Sequence, residues 1–172
     1  YLTLPAPSWT PQQVAEHLSE FSRPALWITT AHEGYPGHYL QGVHLRNQRN
    51  PLRTSGLFSS TAYVEGWAHY AEQLVVEEGF LESDPRIALA QAKDALLRTC
   101  RYLMALRMHA EGWTVEAATS FFVQHAHMAE GPARMEAERA TYDPLTLAYT
   151  LGKLEILRLR ESKRWYIPFA WN

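Results

Sequence analysis

The chain has 172 residues, of which 47% are hydrophobic and 20% are charged. This is enough apolar material for one folded domain and argues against intrinsic disorder. Sixteen Lys and Arg against 18 Asp and Glu leave a net charge of -2, which disfavours a nucleic-acid or membrane-surface role. No apolar run approaches the roughly 20 residues of a membrane span. The single Cys100 excludes an internal disulfide and is predicted to pack in the core.

The sequence begins at Tyr1 without an initiator Met. We therefore expect it to be a processed product or a piece of a longer chain whose targeting signal has been removed. The compartment, periplasmic or cytoplasmic, is not indicated by these residues.

The first part of the chain predicts one helix and one extended segment. Thr10, with Gln13 three residues later, is a capping box at the start of a helix that should run to about Phe21. Pro24 disfavours helical geometry for the residue before it, so residues 25–30 are predicted as a short strand or extended piece.

The remainder of the chain predicts helices separated by Gly and Pro. Apolar residues recur at helical spacing between Pro, Ser or Thr starts and Gly ends. The predicted helices cover approximately residues 36–45, 61–78, 85–112, 114–128, 133–140 and 144–159, with a polar loop over 47–55. The fold class is therefore all-α, or nearly so, with at most a short strand.

The sharpest local feature is a His-Glu pair, His32 and Glu33, six residues before a second histidine, His38. In the His-Glu-x-x-His helix of metallopeptidases, two imidazoles one turn apart bind zinc and the Glu acts on the attacking water. A spacing of six misaligns the two rings by about 120° on an unbroken helix. One metal can be shared only if the backbone bulges or restarts, which Gly34 and the Pro36-Gly37 pair permit.

A second segment places Glu65, His69 and Glu72 on one face of a predicted helix. A carboxylate from a separate helix is a common third zinc ligand, and Glu65 fits that role. Glu72 could accept the other ring N–H of a liganding histidine and fix its tautomer. We expect His69 to be packing or polar fill.

These segments and several later ones resemble the domain of unknown function family numbered 885, which is placed with the zinc metallopeptidases of the gluzincin type. The resemblance extends from about residue 24 onward. It rests on the His-Glu-x-x-Pro-Gly-His stretch with Leu40-Gln41, and on the runs at 65–72, 108–114, 136–139, 143–144 and 148–154.

The resemblance implies a helical core binding one Zn2+ through His32, His38 and Glu65, with Glu33 as general base in the hydrolysis of short peptides or peptide-like amides. The family often has a second histidine where this chain has Tyr39, which favours His38 as the ligand. Members are longer, with a large helical region before this part. The resemblance therefore implies that residues 1–172 are a single helical domain, the C-terminal catalytic part of a longer chain, and that the missing N-terminal part is a candidate partner. Many carry export signals.

The transition-state oxyanion needs a further donor, for which Tyr149, His109 and Tyr142 are candidates. Tyr149 could instead be a core residue and His109 a helix cap. Arg139 could clamp a substrate carboxylate beside Tyr142, or simply pair with Glu136 or Glu138.

The alternative function is a non-catalytic helical module that binds metal or completes a larger enzyme. Glu33 discriminates the two, because a degenerate binder has little need of it. A di-iron bundle is excluded by the lack of paired Glu-x-x-His motifs. Four further histidines are expected to be structural or on the surface: His125 and His127 structural, His17 and His44 at the surface.

Overall fold

The structure is a computed structural model that describes residues 4–163. Its helices, listed in chain order, are α1 (Pro11–Ser19), α2 (Arg23–Glu33), α3 (His38–Arg46), α4 (Pro51–Thr54), α5 (Thr61–Glu77), α6 (Pro85–Ala110), α7 (Val115–His125), α8 (Glu130–Ala140) and α9 (Ala148–Lys163). Two short 3₁₀ turns lie at Gly56–Phe58 and Pro144–Leu147. Residues 4–163 contain no strand, so the predicted all-α class is confirmed. Within the same residues, no helix combines the length and apolar character that crossing a bilayer requires.

Side-chain caps begin the helices where the sequence placed them. The Thr10 hydroxyl accepts from the N–H of Gln13 and the Gln13 side chain accepts from the N–H of Thr10, which is the predicted capping box. Ser60 and Thr114 accept N–H groups in the first turns of α5 and α7 in the same way. Such caps satisfy N–H groups that have no partner inside the helix.

The predicted strand at residues 25–30 is wrong, because this segment is the middle of α2. The Ser22 hydroxyl accepts from the N–H of Ala25 at 3.4 Å and caps the helix. Pro24 therefore lies in the first helical turn, where its missing N–H would have no intrahelical partner anyway. The proline marks a helix start and not an extended segment.

Two predicted helix starts are also displaced. The helix predicted from Pro36 begins at His38, with Gly37 as its N-cap. The helix predicted from Ala133 begins earlier, at Glu130, with Gly131 and Pro132 inside its first turn. The first shift arises because Pro36 and Gly37 belong to the break between α2 and α3 and do not open the helix. The second arises because Gly131-Pro132 was taken as a break, although proline is tolerated in the first turn of a helix.

Helix α5 is the centre of the fold and packs most extensively along α9, with further contacts to α2, α3 and α6. The crossing of α5 and α9 depends on two glycines. A Cβ on Gly66 would lie 2.5 Å from the Cα of Gly152, and a Cβ on Gly152 would lie 1.7 Å from the carbonyl oxygen of Ala62. The two backbones therefore meet at a distance that only glycine allows.

A second packed group lies along the C-terminal half of α6. Cys100, Met104, Phe122 and Met128 are buried there with small residues of α7 and α8. The predicted burial of Cys100 is confirmed. His17, expected at the surface, is instead buried in α1 with its ring edge-on to Trp9 and Phe21 at 5.0 Å; an amphipathic ring can contribute its apolar body to packing.

Candidate metal centre

The four-residue break between α2 and α3 brings His32 and His38 together. The N–H of Gly37 donates to the carbonyl of Ala31 at 3.0 Å, so the chain folds back on the end of α2. A Cβ on Gly37 would lie 1.8 Å from the His32 carbonyl oxygen, so only glycine fits. The two imidazole rings consequently lie 4.8 Å apart, centroid to centroid, and are nearly perpendicular.

The break is fastened to α5 by Trp67. Its indole Nε1 donates to the carbonyl oxygen of Pro36 at 3.0 Å, and the peptide bond between Tyr35 and Pro36 is cis. Gln41 of α3 donates at 3.3 Å to the carbonyl of Tyr63, which lies one turn before Trp67 on α5. Helix α5 thus fixes both ends of the segment that carries His38.

Three donor groups converge at this point. His32, His38 and Glu65 each offer one ligand atom, and these atoms lie within 4.8 Å of one another. The Oε2 atom of Glu65 is 3.7 Å from Nε2 of His32 and 3.5 Å from Nε2 of His38. The structure therefore brings the three predicted ligands together, and their role as ligands stays a prediction.

Glu72 is fully buried behind His32 and holds it in place. Its Oε1 atom lies 2.6 Å from Nδ1 of His32, and its Oε2 atom lies 3.1 Å from Nδ1 of His69. A carboxylate only accepts, so both histidines donate from Nδ1 and the Nε2 atom of His32 is left facing Glu65. The contact predicted between Glu72 and a candidate ligand is present.

The charges around this carboxylate keep it ionised. Burial alone would raise the pKa of Glu72, but the charge of Arg98 and the hydrogen bonds from His32 and His69 outweigh it and lower the pKa to about 2. Burial would also raise the pKa of Glu65, but the hydrogen bonds and charges of His32 and His38 outweigh burial and lower this pKa to about 2. Both carboxylates are therefore acceptors at neutral pH.

The two buried histidines differ in charge tendency. Burial lowers the pKa of His69 to about 4 despite its hydrogen bond to Glu72, so this ring is neutral at pH 7. Burial also disfavours the charged form of His32, but its contacts with Glu65 and Glu72 outweigh burial and raise its pKa. His69 makes its contact with Glu72 and lies outside the three-residue cluster, as expected of polar fill.

Arg98 of α6 completes the site and was not found from the sequence. Its guanidinium forms a two-armed contact with Glu72, Nη2 to Oε1 at 2.7 Å and Nη1 to Oε2 at 3.2 Å. It also lies over the ring of Tyr149 at 5.7 Å. An arginine in the middle of a long helix has no spacing signal, so only the packing of α6 against α5 could identify it.

Tyr149 contacts the cluster, and Glu33 is next to it in the chain. The Tyr149 ring stacks on His32 with centroids 6.3 Å apart. Burial and the nearby charge of Glu65 raise the pKa of Tyr149, so its hydroxyl retains the proton that a donor needs. Glu33 is the last residue of α2, next to His32, and its side chain is exposed.

The other predicted site residues have structural partners. His109 Nε2 lies 2.8 Å from the carbonyl oxygen of Ala140 and so caps the end of α8. Arg139 donates from Nε and Nη2 to Asp143, and not to the predicted Glu136 or Glu138. Glu136 pairs instead with Arg101 of α6, and Glu138 pairs with Arg134 of α8.

Tyr142 follows the end of α8 and is 75% exposed. No hydrogen bond within the described residues fixes its hydroxyl. The substrate-binding roles of Tyr142 and Arg139 and the oxyanion role of His109 stay predictions.

Comparison with known proteins places the chain in a family. The family described as "Bacterial protein of unknown function (DUF885)" matches residues 5–164. The chain belongs to this family. No protein with curated annotation is significantly similar to it.

Two solved structures are similar to this DUF885 chain, and both proteins are provisionally described as lipoproteins. One, of unknown function and from Shewanella oneidensis, is 28% identical with a TM-score of 0.81; the match covers 98% of this chain and 31% of that one. The other, from Colwellia psychrerythraea, is 32% identical with a TM-score of 0.73, over 87% of this chain and 26% of that one. The chain thus spans less than a third of the length of these proteins.

Proposed function

We propose that this chain carries the catalytic centre of a zinc-dependent peptidase that hydrolyses short peptides or peptide-like amides. The observation that supports the proposal is the convergence of His32, His38 and Glu65 within 4.8 Å, with Glu33 next to His32 in the chain. Two imidazoles and a carboxylate are a common ligand set of catalytic zinc, which keeps a fourth position open.

The donor atoms are spaced close to, but slightly wider than, the ligand atoms of a tetrahedral zinc site. A tetrahedral ion with ligand bonds of about 2.0–2.2 Å separates neighbouring ligand atoms by about 3.3–3.6 Å. The two histidine nitrogens lie 3.7 and 3.5 Å from the Glu65 oxygen. The donor set and the hydrogen bond from His32 Nδ1 to Glu72 also match the usual surroundings of a liganding histidine.

The residues of the chain divide the work of amide hydrolysis. Zinc, when bound, supplies Lewis acidity, which polarises the scissile carbonyl and lowers the pKa of a water to about 7. Glu33 takes a proton from the attacking water and returns it to the leaving amine. Tyr149 donates its hydroxyl proton in a hydrogen bond to the developing oxyanion. Glu72 holds the His32 ring in the orientation that binding requires.

The proposal is tested by metal content and hydrolysis together. The purified chain is dialysed exhaustively with and without added zinc, beside His38→Ala and Glu33→Gln, and assayed with short peptides. We expect nearly one zinc per chain, loss of zinc in His38→Ala, and retention of zinc without hydrolysis in Glu33→Gln. Hydrolysis by Glu33→Gln at nearly the original rate would show that Glu33 is not the base. Absence of zinc from all three proteins, even after zinc is added, would contradict the proposed zinc site.

The second candidate function is a non-catalytic module that completes a larger enzyme. It is favoured by one observation, that the chain covers 31% and 26% of the two solved structures, so other walls of a substrate cleft could lie outside it. Zinc binding by this chain with hydrolysis only in a longer protein would favour this alternative.

A further inference from the structure

A cleft of about 720 Å³ opens beside the candidate metal centre. Two of the three candidate ligands, His38 and Glu65, line it, and its other walls come from α3, α4, the turn at Gly56–Phe58 and the start of α5. This volume is within the range of about 300–1,000 Å³ that small-ligand sites occupy. A molecule in the cleft would therefore be in reach of the metal position.

The cleft has an apolar wall. Leu45, Phe58 and Tyr63 line it, and these large side chains are 39%, 69% and 56% exposed. Exposed apolar side chains gathered in a concave site are typical of binding surfaces and are less expected on an unused one. The wall suits an aliphatic or aromatic side chain of a substrate.

The cleft also has a positive charge. Arg53 of α4 is the arginine among its lining residues, and no lysine joins it. Within the part of the chain that the structure describes, Arg53 forms no ion pair. Its guanidinium presents paired N–H donors that match a carboxylate. Glu65 also lines the cleft, and its carboxylate faces the two histidines.

We propose that this cleft binds the carboxyl-terminal portion of a peptide, with the free terminal carboxylate on Arg53 and an apolar side chain against Phe58 and Leu45. The inference rests on the proposed function, because the amide to be cleaved would lie at His38 and Glu65. It makes Arg53 the determinant of a preference for a free C-terminus. Arg139, the arginine that the sequence suggested for a carboxylate, donates to Asp143 instead.

The test measures binding, so that it does not depend on turnover. Glu33→Gln chain, with and without zinc, is titrated calorimetrically with acetyl-Ala-Phe-Leu as the free acid, with the same peptide as its C-terminal amide, and with acetyl-Ala-Phe-Glu amide. We expect the free acid to bind up to about fivefold more tightly than the amide, the size of an exposed ion pair. When Arg53→Gln is combined with Glu33→Gln, the ratio of the affinities for the free acid and the amide should fall to nearly one.

The matched control is Arg49→Gln, which removes an exposed arginine four residues away that does not line the cleft. It should leave the ratio unchanged, and circular dichroism checks that all variants fold.

An equal affinity for acid and amide, or a ratio insensitive to Arg53, would overturn the proposal. Tight binding of the peptide amide with an acidic side chain would overturn the assignment to a free terminus. Arg53-dependent binding of the free acid by a chain that takes up no zinc would leave the Arg53 contact standing and contradict the zinc peptidase.

Discussion

Glu72 Oε1 lies 2.6 Å from Nδ1 of His32, while the same carboxylate accepts from Arg98 on α6. One buried charge thus links the orientation of a candidate ligand to the packing of two helices. The arrangement predicts that substitutions of Glu72 and of Arg98 affect stability and metal binding in different proportions.

Glu72→Gln should weaken zinc binding without removing it. The amide keeps the size of the side chain but loses the charge that orders His32, and loss of such a partner costs about 10–100-fold in metal affinity. Glu65→Gln replaces a charged candidate ligand with a neutral amide and should reduce affinity by more. Competition with a chelator of known affinity measures both, and the reverse ranking would move the third ligand to Glu72.

Arg98→Gln should destabilise the fold by about 3–5 kcal/mol, because it leaves Glu72 charged and buried without its strongest partner. Urea unfolding measures the free energy. Arg134→Gln, which breaks an exposed pair with Glu138, is the control and should cost about 1 kcal/mol or less. In the double variant with Glu72→Gln, the loss should be smaller than the sum of the single losses, and strict additivity would contradict the coupling.

Gly37→Ala should disrupt the candidate site more than the rest of the fold. Its Cβ would lie 1.8 Å from the His32 carbonyl oxygen, so the α2–α3 break must rearrange and separate the two histidines. We expect strongly reduced zinc binding with the helical circular dichroism largely retained. Gly42→Ala, inside α3 with no atom within 4 Å of its Cβ, should bind zinc normally and be slightly more stable. Normal zinc binding by both variants would show that the break does not set the ligand geometry.

Gly152→Ala should lower the thermal midpoint of unfolding, because the added Cβ would lie 1.7 Å from the carbonyl oxygen of Ala62 and force α5 and α9 apart. Overpacking of this kind typically costs about 1–3 kcal/mol. Calorimetry of the variant beside Gly56→Ala, whose Cβ meets nothing within 4 Å, checks the prediction. A midpoint that falls equally in both would point to a backbone effect instead of the helix contact.

Much of the fold could be predicted from the sequence because its helix starts have local chemical signals. Thr10, Ser60 and Thr114 cap helices whose starts the sequence predicted, with Ser59 the alternative to Ser60. The error at residues 25–30 arose because Pro24 was weighed without its cap, Ser22. A proline after a capping residue indicates a helix, whereas the same proline after an apolar residue does not.

Some residues of the candidate site could be predicted from the sequence and others could not. The grouping of His32, His38 and Glu65 was expected from their residue types and from the family resemblance, and the structure brings them together. Arg98 and Arg53 were missed because their roles depend on which helices meet and which cleft opens between them. No local pattern along α6 or α4 carries that information.

We expect two segments near the candidate site, the α2–α3 break and the connection from α3 to α5, to tolerate insertions to different degrees. The α2–α3 break is four residues long and is clamped by Gly37 and Trp67, so an insertion there would separate the two histidines. The connection from α3 to α5 carries no candidate ligand, and each doubling of a loop length costs only about 0.6 kcal/mol. We therefore expect relatives to diverge in the length and composition of residues 47–60, which line the cleft in part, while the positions of the three candidate ligands are kept.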